Sequence, residues 1–171
     1  MNNQPVFILG VGAQKAGTSW LYKQLSQVSS VNFGVLKEYH IWDALHIEHC
    51  GRWIVDNALD KNPLEILRYL MQKSEDTYER YFFGLIDEKT RLTGDITPSY
   101  AALNTNQLKE VKLRLENIGF IVKVIFLMRD PVARNWSALR FYNRQAINKG
   151  SISVSELVDQ FERFYSSQGV T

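Results

Sequence analysis

Three short stretches of this sequence gather side chains suited to binding an anion or moving a proton. The first is Gly12-Ala13-Gln14-Lys15-Ala16-Gly17-Thr18-Ser19, two glycines around a lysine with two hydroxyls behind them. The second is Lys37-Glu38-Tyr39-His40-Ile41-Trp42-Asp43, which sets a lysine, a histidine and two carboxylates close together. The third runs from Arg129-Asp130-Pro131 to Ser137.

Backbone amides in a glycine-bearing turn, with a helix amino terminus behind them, form a cradle for an anion. The nucleotide-triphosphatase pattern is G-x-x-x-x-G-K-[ST]. Gly12, Gly17 and Ser19 fit it, but Thr18 stands at the lysine position and the cation lies inside the loop at Lys15. The loop is therefore expected to hold a phosphate while its cation touches a different part of the ligand. That argues against ordinary magnesium-nucleotide hydrolysis. In the third stretch an arginine fork and a serine hydroxyl, about two helical turns apart, suit a joint grip on one phosphate. The plainer alternatives stay open: an empty strand–turn–helix junction, Arg129 paired with a surface carboxylate, and Ser137 facing water.

The elements that must position these stretches follow from the apolar pattern. Val6 to Val11 is a continuous apolar run, as in a strand buried on both faces. Thr18 to Val28 reads as a helix with Leu21 and Leu25 on one face, and Val31 to Leu36 as a second strand. Asn62-Pro63 opens a helix carrying Leu64, Leu67, Leu70 and Met71. Arg91 to Ile96 is a short strand. Leu108, Val111 and Leu115 mark a helix with Gly119 past its end. Phe120 to Met128 is the strongest strand, and Asp130-Pro131 then starts a helix reaching to about Lys149. Ser153 to Glu156 fits a capping box ahead of an apolar stripe at Leu157, Val158, Phe161, Phe164 and Tyr165. Strands alternating with helices predict an α/β fold with a mainly parallel sheet. Ligands in such sheets sit at the carboxyl ends of the strands, where all three stretches fall.

Length and composition bound the rest. The chain has 171 residues, which predicts one domain over residues 1–171. Its net charge of +2 gives no bulk basicity for a nucleic acid or a membrane surface, so an anion site must be local. Cys50 is alone, so no internal disulfide forms. His40, His46 and His49 lack the companions of a zinc site, and no metal is expected. Val6 to Ala13 is too short to span a bilayer and lacks signal-peptide flanks, so the expected location is cytoplasmic.

Taken together, the stretches resemble the sulfotransferases that use 3′-phosphoadenosine 5′-phosphosulfate (PAPS), most closely the carbohydrate branch with the heparan sulfate enzymes and their bacterial relatives. Gln14 to Ser19 looks like that family's 5′-phosphosulfate loop. Lys37 to Asp43 looks like its K-E-x-H-[FY]-[FW]-D segment, and Gly94-Asp95-Ile96-Thr97-Pro98-Ser99-Tyr100 like its G-E-K-[TS]-P-x-Y segment. Arg129 through Ser137 looks like its 3′-phosphate motif. Ile96 replaces a lysine often found there, and Ala16 replaces a glycine or serine. Family members usually continue into a carboxyl-terminal segment that closes over the nucleotide, and the expectation is that this chain lacks it.

The resemblance implies a P-loop-type three-layer α/β fold, a central sheet flanked by helices, and PAPS as donor with adenosine 3′,5′-bisphosphate as product. It implies that Lys15 serves the leaving phosphate and the sulfuryl oxygens, that Ala16, Gly17, Thr18 and Ser19 hold the 5′-phosphate, and that Arg129 and Ser137 hold the 3′-phosphate. Glu38 is then the general base, with His40 as the alternative because histidine titrates near neutrality. Asp43 is expected to orient Lys37 or a loop amide. The acceptor is a glycan or small molecule. Two other classes remain: a P-loop kinase with Asp130 holding the metal, and a non-catalytic nucleotide-binding fragment.

Overall fold

The computed structural model describes residues 4–167, without the side chains of residues 164–167. The stripe positions Phe164 and Tyr165 therefore lie outside the described side chains. Three strands form one sheet: β1 (Val6–Gly12), β2 (Leu92–Ile96) and β3 (Ile121–Phe126). Their order is β2-β1-β3, and both pairings are parallel. β1 is central, which is why its sequence is apolar throughout. Phe7, Leu9 and Val11 point into one core and Ile8 into the other, as alternation along a strand requires. The sheet and the helices packed on it make a mixed α/β fold, as the alternating pattern predicts.

Where length predicts one domain, the packing resolves into two compact units. The first comprises the described residues up to Ala13 together with Gly17–Leu127, and the second Gln14–Ala16 with the described residues from Met128 onward. In the first unit, α1 (Thr18–Leu25) covers one face of the sheet with Leu21, Tyr22 and Leu25, over Ile8, Phe33 and Ile96. The other face carries α2 (Trp42–His46), α3 (Pro63–Lys73), α4 (Thr77–Phe83) and α5 (Thr105–Asn117). Trp42, Met71, Tyr78, Phe82, Val111 and Leu115 from these helices pack on Phe7, Leu9 and Val11. Short 3₁₀ turns at Glu48–Trp53 and Pro98–Ala102 complete this unit. The second unit holds α6 (Pro131–Tyr142), α7 (Arg144–Asn148) and α8 (Val154–Ser167).

Local chemistry sets most boundaries. Asn62 caps α3, accepting from the amides of Leu64 and Glu65 while Glu65 reaches back to the Asn62 amide. Ser153 and Glu156 make the same reciprocal pair before α8. Three expectations need correction. Val31 to Leu36 is not a strand: Val31 makes one isolated bridge to Leu92, and then the Asn32 side chain accepts from the Gly34 amide and Gly34 turns at φ 73°. α1 stops at Leu25 rather than Val28. The helix from Pro131 divides at Asn143, whose side-chain amide donates to the Leu139 carbonyl, so α7 is a separate short helix.

Candidate functional site

In the first unit the chemistry gathers beside the carboxyl end of β2. The Ile96 amide donates to the Lys37 carbonyl (3.2 Å), which lays the second stretch along the strand end. Tyr39 and Ile41 are buried in the core. Glu38 and His40, alternating with them, form a polar cluster with Lys37 and Asp43. Lys37 Nζ pairs with Glu38 Oε1 and donates to Ser19 Oγ at 3.1 Å. His40 Nδ1 lies 2.6 Å from Asp43 Oδ2, and Nε2 lies 3.4 Å from Glu38 Oε2. Asp43 is fully buried, and it also accepts from Ser99 Oγ (2.5 Å) and from the Ala44 amide (2.9 Å). Its partners are thus His40 and Ser99 rather than Lys37, which turns to Glu38 and Ser19 instead. Trp53 stacks on the His40 ring at 4.1 Å and 8°.

These contacts drive the two titratable groups apart. Burial alone pulls the His40 imidazole down, but its hydrogen bonds to Asp43 and Glu38 outweigh burial and raise it above the ordinary histidine value. Burial likewise pushes Glu38 up, yet hydrogen bonds from His40 and Lys37 prevail and hold it below the ordinary glutamate value. A charged His40 donates from both ring nitrogens and has no lone pair left for a substrate proton. Glu38 is the member of the pair that stays open to one. The backbone of His40 is itself left-handed, at φ 56°. For a residue with a side chain that conformation costs on the order of 1–3 kcal/mol.

Under this cluster lies Asp95, a carboxylate with no exposure at all. Thr97 Oγ1 donates to it at 2.6 Å, the Tyr100 hydroxyl at 2.7 Å, the Tyr78 hydroxyl at 3.1 Å and the Tyr39 amide at 3.4 Å. Burial pushes its carboxyl up to about 6, against the pull of these donors. The sequence places Asp95 in the strand Arg91 to Ile96 and in the motif-like segment Gly94 to Tyr100, without giving it a role of its own. The available signal was an acid in a strand whose other residues, Leu92, Thr93, Gly94 and Ile96, carry no charge.

The second unit gathers the cations. Asp130 Oδ1 accepts from the Ala133 amide (2.8 Å) and Pro131 occupies the first turn of α6, as the sequence predicts. Arg129 Nη1 donates to the Lys15 carbonyl at 3.0 Å, so its partner among the described residues is a backbone carbonyl rather than a surface carboxylate. Lys15 has a left-handed backbone (φ 62°), and its Nζ rests 4.0 Å from the centroid of the Phe141 ring. A cavity of about 630 Å³ is lined by Lys15, Arg129, Ser137, Arg140 and Arg144, with Trp136 and Phe141 among its apolar walls. No acidic side chain among the described residues lines it. Arg140 lies three residues after Ser137 on α6 and Arg144 opens α7 beyond Asn143, and the sequence motifs mark neither.

Lys15, Arg129 and Ser137 are thus brought together in one cavity, with Ala16 in the same unit. Gly17, Thr18 and Ser19 belong to the first unit, where Gly17 (φ 108°) precedes α1 and Ser19 meets Lys37. Glu38 and His40 join that same cluster. Trp42 is buried in the core, and Trp53 backs His40. Among the described residues no set of three or more His, Cys, Asp and Glu side chains is arranged to hold a metal ion. No described helix is long and apolar enough to cross a membrane. Comparison with protein-family models, with curated proteins and with solved structures finds no match to this chain.

Proposed function

We propose that this chain is a PAPS-dependent sulfotransferase with a P-loop-type fold, acting on a hydroxyl or amine of a carbohydrate or small metabolite. The observation that carries the reading is the acid-free cavity in which Lys15, Arg129 and Ser137 meet. Such a lining suits a polyanionic nucleotide, and its apolar walls suit a base. In this reading Arg129 and Ser137 hold the 3′-phosphate. Lys15 and the amides and hydroxyls of Ala16 to Ser19 hold the 5′-phosphosulfate.

The acceptor oxygen attacks sulfur as the bond from sulfur to the 5′-phosphate oxygen breaks. The bonding electron pair leaves with that phosphate, where Lys15 offsets the developing charge. The acceptor proton passes to Glu38. A carboxylate held low is a weak base, which suits a proton that becomes acidic only as the new oxygen–sulfur bond forms. His40, clamped between Asp43 and Glu38, orients Glu38 instead of taking the proton. The test is a transfer assay with PAPS and a mixed panel of glycans, phenols and lipids in excess EDTA, read by mass spectrometry. Sulfated product should form at close to the rate without EDTA. Activity that needs added magnesium, or that moves phosphate from ATP, contradicts the reading and favours a kinase.

A further inference from the structure

The segment bearing Glu38 and His40 is held by side chains. The Tyr39 amide donates to Thr97 Oγ1 at 3.0 Å and the Ile41 amide to the Tyr100 hydroxyl at 3.2 Å. On the carbonyl side, Arg68 Nε donates to Tyr39 O at 2.8 Å and Gln72 Nε2 to His40 O at 3.4 Å. Residues 39 and 41 face the core, and residues 38 and 40 face the polar cluster. Between the two anchored amides sits His40, in a left-handed conformation that a side-chain-bearing residue keeps only when its surroundings fix it.

Both amide anchors lead to one group. Thr97 accepts from Tyr39 and passes its own hydroxyl proton to Asp95 Oδ1 (2.6 Å). Tyr100 accepts from Ile41 and passes its hydroxyl proton to Asp95 Oδ2 (2.7 Å). Each hydroxyl has one proton, so its direction of donation is set by the acceptor beneath it. The carboxylate takes both, with Tyr78 from α4 as a further donor at 3.1 Å.

We propose that Asp95 is a positioning residue for the Glu38–His40 segment: through Thr97 and Tyr100 it orients the two acceptors that pin the amides on either side of His40. Asp95 is wholly buried, and it acts through these relays together with a longer direct contact from the Tyr39 amide at 3.4 Å. Its value to chemistry rests on the sulfuryl-transfer reading, while the clamp itself stands on the geometry alone.

Two variants test it. Asp95→Asn replaces one acceptor oxygen with a donor, and Tyr100→Phe removes only the relay to Ile41. Amide exchange and the His40 ring titration are followed by NMR. In Asp95→Asn the Tyr39 and Ile41 amides should exchange at least about tenfold faster, while β1 amides stay within about twofold, a local opening rather than global unfolding. In Tyr100→Phe the Ile41 amide should respond alone. His40 should titrate at lower pH in Asp95→Asn, because it loses alignment with Asp43 and Glu38. Unchanged exchange and titration in both variants overturn the proposal. So does acceleration spread equally through β1, which makes Asp95 an ordinary core group. If the wild-type chain shows this pattern of local opening yet neither binds adenosine 3′,5′-bisphosphate nor transfers sulfate, the clamp stands and the sulfotransferase reading falls.

Discussion

Glu38 and His40 touch each other, yet their surroundings push them in opposite directions. Two donors keep the glutamate ionised below its ordinary range, and two carboxylates keep the imidazole charged above its own. In the proposed sulfuryl transfer, that difference makes Glu38 the base and His40 the residue that orients it. Glu38→Gln keeps the size and one acceptor oxygen but cannot take a proton. We expect its turnover with PAPS to fall by about 100-fold or more, within the range for removing a general base. Its affinity for adenosine 3′,5′-bisphosphate should stay within about twofold of wild type, since a loss confined to turnover marks an interaction made in the transition state. Steady-state kinetics beside calorimetry read the two effects separately. Because Glu38 is held low, a pH–rate profile of the wild type should fall near pH 6, where buried Asp95 takes a proton and the clamp on the Glu38–His40 segment loosens, rather than near the ordinary glutamate value of 4.5. An active Glu38→Gln beside an inactive His40→Ala that still binds nucleotide would make His40 the base.

The strands bring these groups to one end of the sheet, and their pairing depends on a close approach. A Cβ at Gly94 would lie 2.2 Å from the Ile8 carbonyl oxygen. That neighbour is backbone inside the central strand and cannot turn aside. Gly94→Ala should cost about 3 kcal/mol or more, the upper end of the range for overpacking. Gly51→Ala, with nothing within 4 Å of the added carbon, should be close to neutral by comparison. Urea denaturation midpoints of the two variants measure the difference. Elements announced by local chemistry were legible in the sequence: the caps at Asn62, Asp130 and Ser153, and the apolar run of β1. The strand expected at Val31 to Leu36 was not, because an Asn32 turn and a positive φ at Gly34 overrule an apolar pattern. The site divides in the same way. The three polar stretches could be read along the chain. The partners of Lys37, Asp43 and Asp95 could not, because Ser19, Ser99 and Tyr39 lie far from them in sequence and only the fold brings them near.

On the scale of the whole molecule, a net charge of only +2 conceals a local excess of cations. Lys15, Arg129, Arg140 and Arg144 line one cavity, and no carboxylate among the described residues shares that lining. Bulk attraction for polyanions is therefore weak, and the proposed nucleotide would rely on charge-assisted contacts at that cavity. A ligand with a 3′-phosphate should gain from Arg129 and Ser137 what AMP cannot. The most direct measurement is calorimetry of adenosine 3′,5′-bisphosphate against AMP, on the wild-type chain and on Arg129→Ala. A hydrogen bond to a charged group contributes about 1.5–3 kcal/mol, so the bisphosphate should bind wild type roughly tenfold or more tighter than AMP. Arg129→Ala should remove most of that advantage and leave AMP nearly unaffected. Equal affinity of the wild-type chain for the two nucleotides, or an advantage that survives in Arg129→Ala, would contradict the account.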